Sequence, residues 1–181
     1  STEMEHDACG VGVIASTEGK KSRKIVEYGI EALKAVWHRG AVDADGKTGD
    51  GAGIHVEIPK DFFIEKIEVT GHDYKGSEIC VGMIFLPRND YAAQESCKTI
   101  VESELTKNNF SIYGWRQVPV NPKVLGDKAL QTMPEIIQVL FKPNDLNLLD
   151  KKLERKIYET RKRIENKAFQ SSLNNFYICS I

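Results

Sequence analysis

The chain has 181 residues, of which 41% are hydrophobic and 28% charged, a size and composition typical of one ordinary globular domain with a substantial core. Lys and Arg total 25 and Asp and Glu total 26, so the net charge of -1 includes no basic surplus that would favour nucleic acid or an anionic membrane as a partner. The longest apolar runs, such as 81–86, are far too short to span a bilayer, and the acidic N-terminus lacks the features of a secretory signal.

The N-terminal third of the chain predicts two strands and one helix. An apolar run at 11–15 predicts a buried strand that begins directly after Cys9 and the glycine that follows it. Ser22 is positioned to cap a helix in which apolar residues recur at helical spacing as far as Trp37. Apolar and polar residues alternate over 54–58, which predicts a half-buried strand.

Strands and helices continue to alternate in the rest of the chain. The longest predicted element is a highly charged amphipathic helix over 148–168. Its predicted inner side carries Leu153, Ile157, Tyr158 and Ile164. The other predicted elements are a strand at 79–86, a helix at 92–105, an extended segment at 110–120, a strand at 136–141 and a strand at 176–179. This alternation fits either a parallel α/β sheet or a layered α+β arrangement and does not separate the two.

The four cysteines are scattered and include no CxxC pair, which is a poor framework for disulfides or for zinc. We therefore expect no metal site and a reducing cytoplasm as the setting. Cys80, Cys97 and Cys179 each lie in or beside an apolar run or a predicted helix, so we expect small buried hydrophobic residues. Cys9 differs because it lies between a polar leader and a predicted strand, and Gly10 after it leaves room for a ligand near the backbone.

Two glycine-rich stretches raise the hypothesis of a nucleotide-binding α/β module. The stretch at 10–15 superficially matches a dinucleotide fingerprint, but that motif follows a strand and opens a helix, whereas here a charged leader precedes it. The stretch at 49–53 lacks the Lys-Ser/Thr ending of a phosphate loop, so we predict a tight backbone turn instead. The nucleotide hypothesis is therefore disfavoured.

The tripeptide His38-Arg39-Gly40 ends the first predicted helix. One interpretation is a C-cap, with basic groups near the negative end of the helix and Gly40 just beyond it. The other is functional, because the planar guanidinium of Arg39 can pair with both oxygens of a carboxylate. Both interpretations can hold together.

An ordered set of segments runs through nearly the whole chain. They are Cys9-Gly10-Val11-Gly12 after His6-Asp7-Ala8, His38-Arg39-Gly40-Ala41, 48–54, 114–119, Val124-Leu125-Gly126, Met133-Pro134 before Gln138-Val139, Arg161-Lys162-Arg163 and Phe176-Tyr177-Ile178. In this order they resemble the class-II glutamine amidotransferase domain of the glutamate synthase large subunit. The stretches at 48–54 and 114–119 favour glutamate synthase over other amidotransferases of this class.

That resemblance implies an N-terminal-nucleophile hydrolase fold, an α+β sandwich (αββα) of two antiparallel sheets between helical layers. It implies that residues 1–8 are a propeptide-like leader and that 9–181 are the N-terminal portion of an amidotransferase domain that is incomplete in this chain. The oxyanion hole of the family uses an Asn-Gly pair, and no Asn-Gly dipeptide occurs among these 181 residues.

The implied reaction is hydrolysis of L-glutamine to glutamate and ammonia, with Cys9 as the nucleophile that forms a thioester. A free α-amino group titrates at about 7.7–8.0, so the amine of Cys9 can act as general base only after the bond to Ala8 is cut. By the same resemblance, the substrate-binding residues are Arg39, for the α-carboxylate of glutamine, and Gly10, Asp50 and Gly51.

The resemblance also implies partners. In the family, ammonia passes to a synthase region that uses FMN and an iron–sulfur cluster, so the remaining glutamate synthase domains or subunits and an oligomer are expected. No cofactor is expected in this chain, and neither nucleic acid nor a membrane is expected as a partner. The alternative is a non-catalytic amidotransferase-like subunit for assembly or glutamine sensing.

Overall fold

The computed structural model describes residues 10–37, 40–76, 78–148 and 150–181. Their helices and strands, in chain order, are α1 (Arg23–Ala35), α2 (Lys60–Val69), β1 (Cys80–Leu86), α3 (Tyr91–Lys107), β2 (Phe110–Gln117), α4 (Asp127–Thr132), β3 (Glu135–Pro143), α5 (Asp150–Gln170) and β4 (Tyr177–Ser180). They fall into two compact units. The first unit combines the described residues up to Glu57 with Pro122–Thr132, and the second combines Ile58–Asn121 with Met133–Ile181.

The first unit contains α1, and the predicted N-terminal cap of this helix is confirmed. The Ser22 hydroxyl accepts a hydrogen bond from the backbone N–H of Lys24 at 3.2 Å, which satisfies one of the otherwise unpaired donors of the first turn. The helix ends earlier than predicted, with Val36 as its C-cap. Gly40 is therefore not the residue that ends the helix, and the C-cap interpretation of Gly40 was wrong.

The strands predicted at 11–15 and 54–58 are not formed in the described structure. Both segments lack a paired strand among the described residues, and Val11 and Val13 are 92% and 86% exposed. A strand needs a neighbour for its backbone hydrogen bonds, and alternating apolar side chains do not provide one. The prediction of strands here was wrong for that reason.

The second unit is built around a four-stranded sheet in the order β2-β3-β1-β4. Every neighbouring pair is antiparallel; β1 and β3, for example, pair from Cys80↔Phe141 to Leu86↔Glu135. The pairing of β2 with β3 shifts register between Ile112 and Gly114, where the strand bulges. The antiparallel pairing settles the ambiguity that the sequence pattern left open, because it makes this unit an α+β arrangement.

One face of the sheet is covered by α3 and α5, which also pack against each other. The buried residues of this cluster are Cys80, Ile84, Leu86, Cys97, Val101, Leu105, Phe110, Ile137, Val139, Phe141, Leu153, Ile157, Ile164 and Ile178. The side chain of Asp90 caps α3 by accepting from the N–H of Ala93 at 2.9 Å.

The predicted inner side of α5 is confirmed at three of its four positions. Leu153, Ile157 and Ile164 are buried, whereas Tyr158 is 60% exposed. Successive helical residues differ in direction by about 100°, so a residue next to Ile157 cannot share its inward orientation. The Tyr158 ring instead contacts the ammonium of Lys162, 5.7 Å from its centroid.

The opposite face of the sheet is contacted by α2, a helix that the sequence analysis missed. Its buried residues Phe63 and Ile67, one turn apart, pack with three residues of the adjoining segment and strands, namely Ile79, Tyr113 and Leu140. Successive residues of β1 alternate between the two clusters, since Cys80 belongs to the larger one and Val81 packs against the smaller one.

The three described cysteines are all free thiols. Cys80 and Cys97 are buried as predicted, and burial raises the pKa of the Cys80 thiol to about 12 and that of the Cys97 thiol to about 11. Cys179 is exposed, so the prediction that it is buried was wrong. It lies on the edge strand β4, next to Ile178, and successive residues of a strand point to opposite faces.

Candidate functional site

The predicted nucleophile Cys9 and the predicted carboxylate-binding residue Arg39 lie outside the described residues. The other three predicted site residues, Gly10, Asp50 and Gly51, are described, and all three are exposed. The part of the candidate site that can be built from geometry is therefore the chain that follows Arg39.

Residues 41–50 form a short hairpin, named here the 41–50 hairpin. The N–H of Asp50 donates to the carbonyl of Ala41 at 3.2 Å, and Val42 and Gly49 form an antiparallel bridge. Closer to the tip, the N–H of Asp43 donates to the carbonyl of Thr48 at 2.7 Å. The chain reverses at 44–47, so the tight turn lies before 49–53 and not within it. The prediction of a tight turn at 49–53 was wrong.

Asp45 organises the tip of the 41–50 hairpin. Its carboxylate accepts hydrogen bonds from the N–H of Lys47 at 2.9 Å, from the N–H of Thr48 at 2.7 Å and from the Thr48 hydroxyl at 2.6 Å. The Thr48 hydroxyl and then the two backbone donors lower the pKa of Asp45 to about 2, because they stabilise the charged form. Sequence reasoning missed Asp45, although Asp45-Gly46 is a dipeptide typical of tight turns and Gly46 has the positive φ (67°) that such turns favour.

Asp50 closes the open end of the same hairpin. One oxygen of its carboxylate accepts a hydrogen bond from the N–H of Ala41 at 2.8 Å. This bond and the backbone bond in the opposite direction join the residue after Gly40 to the residue before Gly51. The Asp50 side chain thus fixes the spacing of the two strands of the hairpin next to the predicted substrate-binding residues.

The chain beyond Gly51 runs along α1. A Cβ atom placed on Gly29 of this helix would lie 3.1 Å from Cδ1 of Ile54, and Lys21 forms an ion pair with Glu57 at 2.6 Å. At Gly51 itself, an added Cβ atom would meet no heavy atom of the described residues within 4 Å, its two chain neighbours aside. The backbone at Gly51 is therefore open to a ligand in the described structure.

The second unit contains a cavity of about 430 Å³ beside the C-terminal half of α5. The side chains of Arg161, Lys162, Glu165, Phe169 and Tyr177 are among those that line it. Glu165 forms ion pairs with both cations at 2.7 Å, so its carboxylate offsets one of the two positive charges. No cysteine is among its described lining residues, and the cavity is not the candidate active site.

Two other kinds of feature, a metal site and a membrane-spanning helix, would compete with the predicted site in the described part of the chain. In the part of the chain that the structure describes, no group of three or more His, Cys, Asp or Glu side chains could hold a metal ion. Among the same residues, no helix is both long enough and apolar enough to cross a bilayer.

Comparison with known proteins agrees with the motifs around this hairpin. Residues 9–181 match the family model of class-II glutamine amidotransferases, and the chain belongs to this family. It is 53% identical over 179 residues to the glutamate synthase [NADPH] large chain of Azospirillum brasilense, across 99% of this chain and 12% of that protein.

Two ferredoxin-dependent relatives are also similar. The ferredoxin-dependent glutamate synthase of Pyropia yezoensis is 39% identical over 185 residues, covering 100% of this chain and 12% of that protein. The ferredoxin-dependent glutamate synthase 1, chloroplastic/mitochondrial, of Arabidopsis thaliana is 38% identical over 179 residues, covering 98% of this chain and 11% of that protein. The resemblance to glutamate synthases read from the motifs is confirmed, and the chain spans about an eighth of the length of these relatives.

Proposed function

We propose that this chain is the glutamine-hydrolysing part of a glutamate synthase and that Cys9 is its nucleophile. The observation that carries the proposal is the match of residues 9–181 to class-II glutamine amidotransferases, which begins at Cys9. The similarity to proteins named glutamate synthase supports the choice of glutamine as substrate and glutamate as product.

The proposed mechanism uses the backbone nitrogen of Cys9 after the Ala8–Cys9 bond is cut. An ordinary thiol with a pKa of about 8.5 is mostly protonated at neutral pH and requires a base to attack an amide. The freed α-amine takes the thiol proton while sulfur bonds to the amide carbon of glutamine, and it then protonates the departing nitrogen, which leaves as ammonia. Water next attacks the thioester, releasing glutamate and restoring the thiol.

The substrate-binding part of the proposal assigns the α-carboxylate of glutamine to Arg39 and the walls of the pocket to Gly10, Asp50 and Gly51. It is supported by the 41–50 hairpin, whose open end joins the chain after Gly40 to the chain before Gly51. The absence of any described neighbour within 4 Å of a Cβ atom at Gly51 supports a backbone contact with substrate at that position.

We also propose that the complete domain is the two-sheet sandwich of the N-terminal-nucleophile hydrolases. The antiparallel sheet of the second unit, covered on one face by α3 and α5, supports this. In this proposal that sheet is one of the two sheets of the sandwich.

The wider proposal extends the resemblance to glutamate synthases to the rest of such an enzyme. Ammonia passes to a synthase region that carries FMN and an iron–sulfur cluster, in other domains or subunits of an oligomer. No step proposed for this chain uses either cofactor. A reducing compartment, such as the cytoplasm, is supported by the free thiols of the described cysteines.

A glutamine analogue that carries an electrophilic carbon in place of the amide tests the proposal directly. We expect it to label the processed polypeptide once, with loss of labelling in Cys9→Ala and normal labelling in Cys179→Ala, the matched control because Cys179 is the exposed described cysteine. Labelling that persists in Cys9→Ala would overturn the assignment. Glutamine binding without any labelling would favour the non-catalytic subunit for assembly or glutamine sensing.

A further inference from the structure

The segment Val124-Leu125-Gly126 belongs to the motifs of this chain, but the mechanism above gives it no role. In the structure it leads into α4, since the N–H of Leu130 donates to the carbonyl of Gly126 at 2.9 Å. Gly126 is buried against the tip of the 41–50 hairpin. The motif therefore lies against the hairpin that ends at Asp50, one of the three described site residues.

The contact at Gly126 leaves no space for a side chain. A Cβ atom at this position would overlap the Thr48 hydroxyl and the Asp45 carboxylate, and it would lie 2.7 Å from the backbone nitrogen of Thr48. The backbone nitrogen cannot rotate away as a side chain can, so any larger residue has to displace the tip of the hairpin. Only glycine fits this position without such a shift.

A second contact joins the same two segments. The ammonium of Lys128, on α4, forms an ion pair with the carboxylate of Asp43 on the hairpin. Lys128 is largely exposed, so the pair alone contributes little to stability. Together with the Gly126 contact, however, it fixes the tip of the hairpin against α4 at two points.

We propose that Gly126 and Lys128 are positioning residues for the glutamine site. This inference rests on the proposed function. The hydrogen bonds of the 41–50 hairpin link the tip to its open end, so a displaced tip moves the Ala41–Asp50 pair. That pair joins Ala41, two residues after Arg39 in the sequence, to Asp50, the residue before Gly51. Gly126 and Lys128 thus act through the hairpin and do not contact the reacting atoms.

The test compares two rates of Cys9 modification in the processed polypeptide. The probes are the electrophilic glutamine analogue, which requires an ordered substrate site, and iodoacetamide, which requires only an accessible thiol. A Cys179→Ala background removes the competing exposed thiol, while Cys80 and Cys97 are protected by burial and by their raised pKa values. The variants are Gly126→Ala, Lys128→Ala and Lys128→Arg.

We expect Gly126→Ala to slow labelling by the glutamine analogue by roughly tenfold to a hundredfold, because small displacements of an aligned site have effects of that order. Lys128→Ala should slow it by about twofold to fivefold, the range expected for an exposed ion pair, and Lys128→Arg should restore the rate. Iodoacetamide rates should stay within about twofold in every variant. Gln131→Ala is the matched control, because Gln131 is exposed on α4 and its side chain makes no hydrogen bond with the described residues.

The outcomes separate the two proposals. A parent polypeptide that the analogue does not label overturns the proposed function itself. A labelled parent with unchanged analogue rates in Gly126→Ala and Lys128→Ala overturns the positioning role alone. Thermal unfolding is recorded for each variant; if Gly126→Ala does not fold, the Lys128→Ala and Lys128→Arg pair decides, since an equal rate in both contradicts the proposal.

Discussion

At the scale of single residues, the described site depends on one carboxylate. Asp45 accepts three hydrogen bonds from Lys47 and Thr48, and these hold the turn of the 41–50 hairpin. Asp45 is exposed, and its low pKa comes first from hydrogen bonds to the charged form and not from a buried ion pair. The hairpin tip is therefore a local structure whose order depends on pH.

Replacement of Thr48 by valine should raise the pKa of Asp45 from about 2 towards its ordinary value of 3.8, because the Thr48 hydroxyl is the largest cause of the lowering. A carboxyl with a folded pKa below its unfolded value stabilises the fold above the unfolded pKa. That contribution is lost as the pH falls from about 4 to about 2. A carboxyl carbon NMR titration of Asp45 measures the shift of its pKa.

Thr17→Val is the control, since Thr17 is exposed and has no hydrogen bond to a described residue. An Asp45 titration midpoint that stays near 2 in Thr48→Val would contradict the account.

At the scale of elements, the two long helices of the second unit are joined by a buried acid. The side chain of Glu104 on α3 is 5% exposed and forms an ion pair with Lys167 on α5, with Lys107 a further 3.8 Å contact. Burying a carboxylate is costly unless it is paired and hydrogen-bonded. The pair therefore fixes how α3 and α5 align on the sheet.

Lys167→Met should lower the free energy of unfolding by about 1–3 kcal/mol, because it leaves the buried Glu104 carboxylate without its closest cation. In Glu104→Gln with Lys167→Met, much of that loss should be recovered, since the buried charge is gone. Urea unfolding of the parent, of Lys167→Met and of the double variant gives the three free energies of unfolding.

Lys152→Met is the control, because Lys152 lies exposed on α5 and forms no ion pair with the described residues. An equal loss of stability in Lys152→Met would contradict the interpretation.

The sequence predicted the elements whose periodicity, caps or apolar runs are strong, and it missed α2, which packs against the sheet. The helices α1, α3 and α5 have long apolar periodicity and caps such as Ser22, and the strands β1 and β3 have strong apolar runs, so local pattern and tertiary packing agree. The segments 11–15 and 54–58 have strand-like composition, but strand formation depends on a distant neighbour that composition does not reveal.

The candidate site was predicted only in part for a related reason. The motifs placed Gly10, Asp50 and Gly51 at the site from their resemblance to a family. The bond from Ala41 to the Asp50 carboxylate and the close contact at Gly126 depend on chain reversal and on a segment more than seventy residues away. Tyr158 and Cys179 were predicted to face inward but are exposed, because each lies next to a buried residue. One residue further along, the side chain turns by about 100° in a helix and points to the opposite face in a strand.

At the scale of the whole molecule, the two units differ in how much they bury. The helix α1 has no buried residue, whereas β1 has four alternating buried positions, from Cys80 to Leu86. Amide hydrogen exchange reflects this difference, because segments with few buried contacts open with a low free energy.

In this chain we expect the amides of α1 and of the 41–50 hairpin to exchange at least about tenfold faster than those of β1 and β3, since about 1.4 kcal/mol of local stability corresponds to a tenfold change. Mass spectrometry of peptides after timed exchange makes the comparison, with the buried face of α5 as the internal reference. Equal protection of α1 and β1 would show that the first unit is as well packed as the second.

The central claim is that Cys9 hydrolyses glutamine with its own freed amine as the base. The most direct measurement is glutamate release from L-glutamine by two preparations of the glutamate synthase of which this chain is the proposed glutamine-hydrolysing part, one beginning at Ser1 and one at Cys9, with both termini verified by intact mass. We predict release only by the preparation that begins at Cys9, with a rate that rises with pH through the α-amine pKa of about 7.7–8.0. Equal release by the preparation that retains residues 1–8, or release that survives Cys9→Ala, would contradict the account.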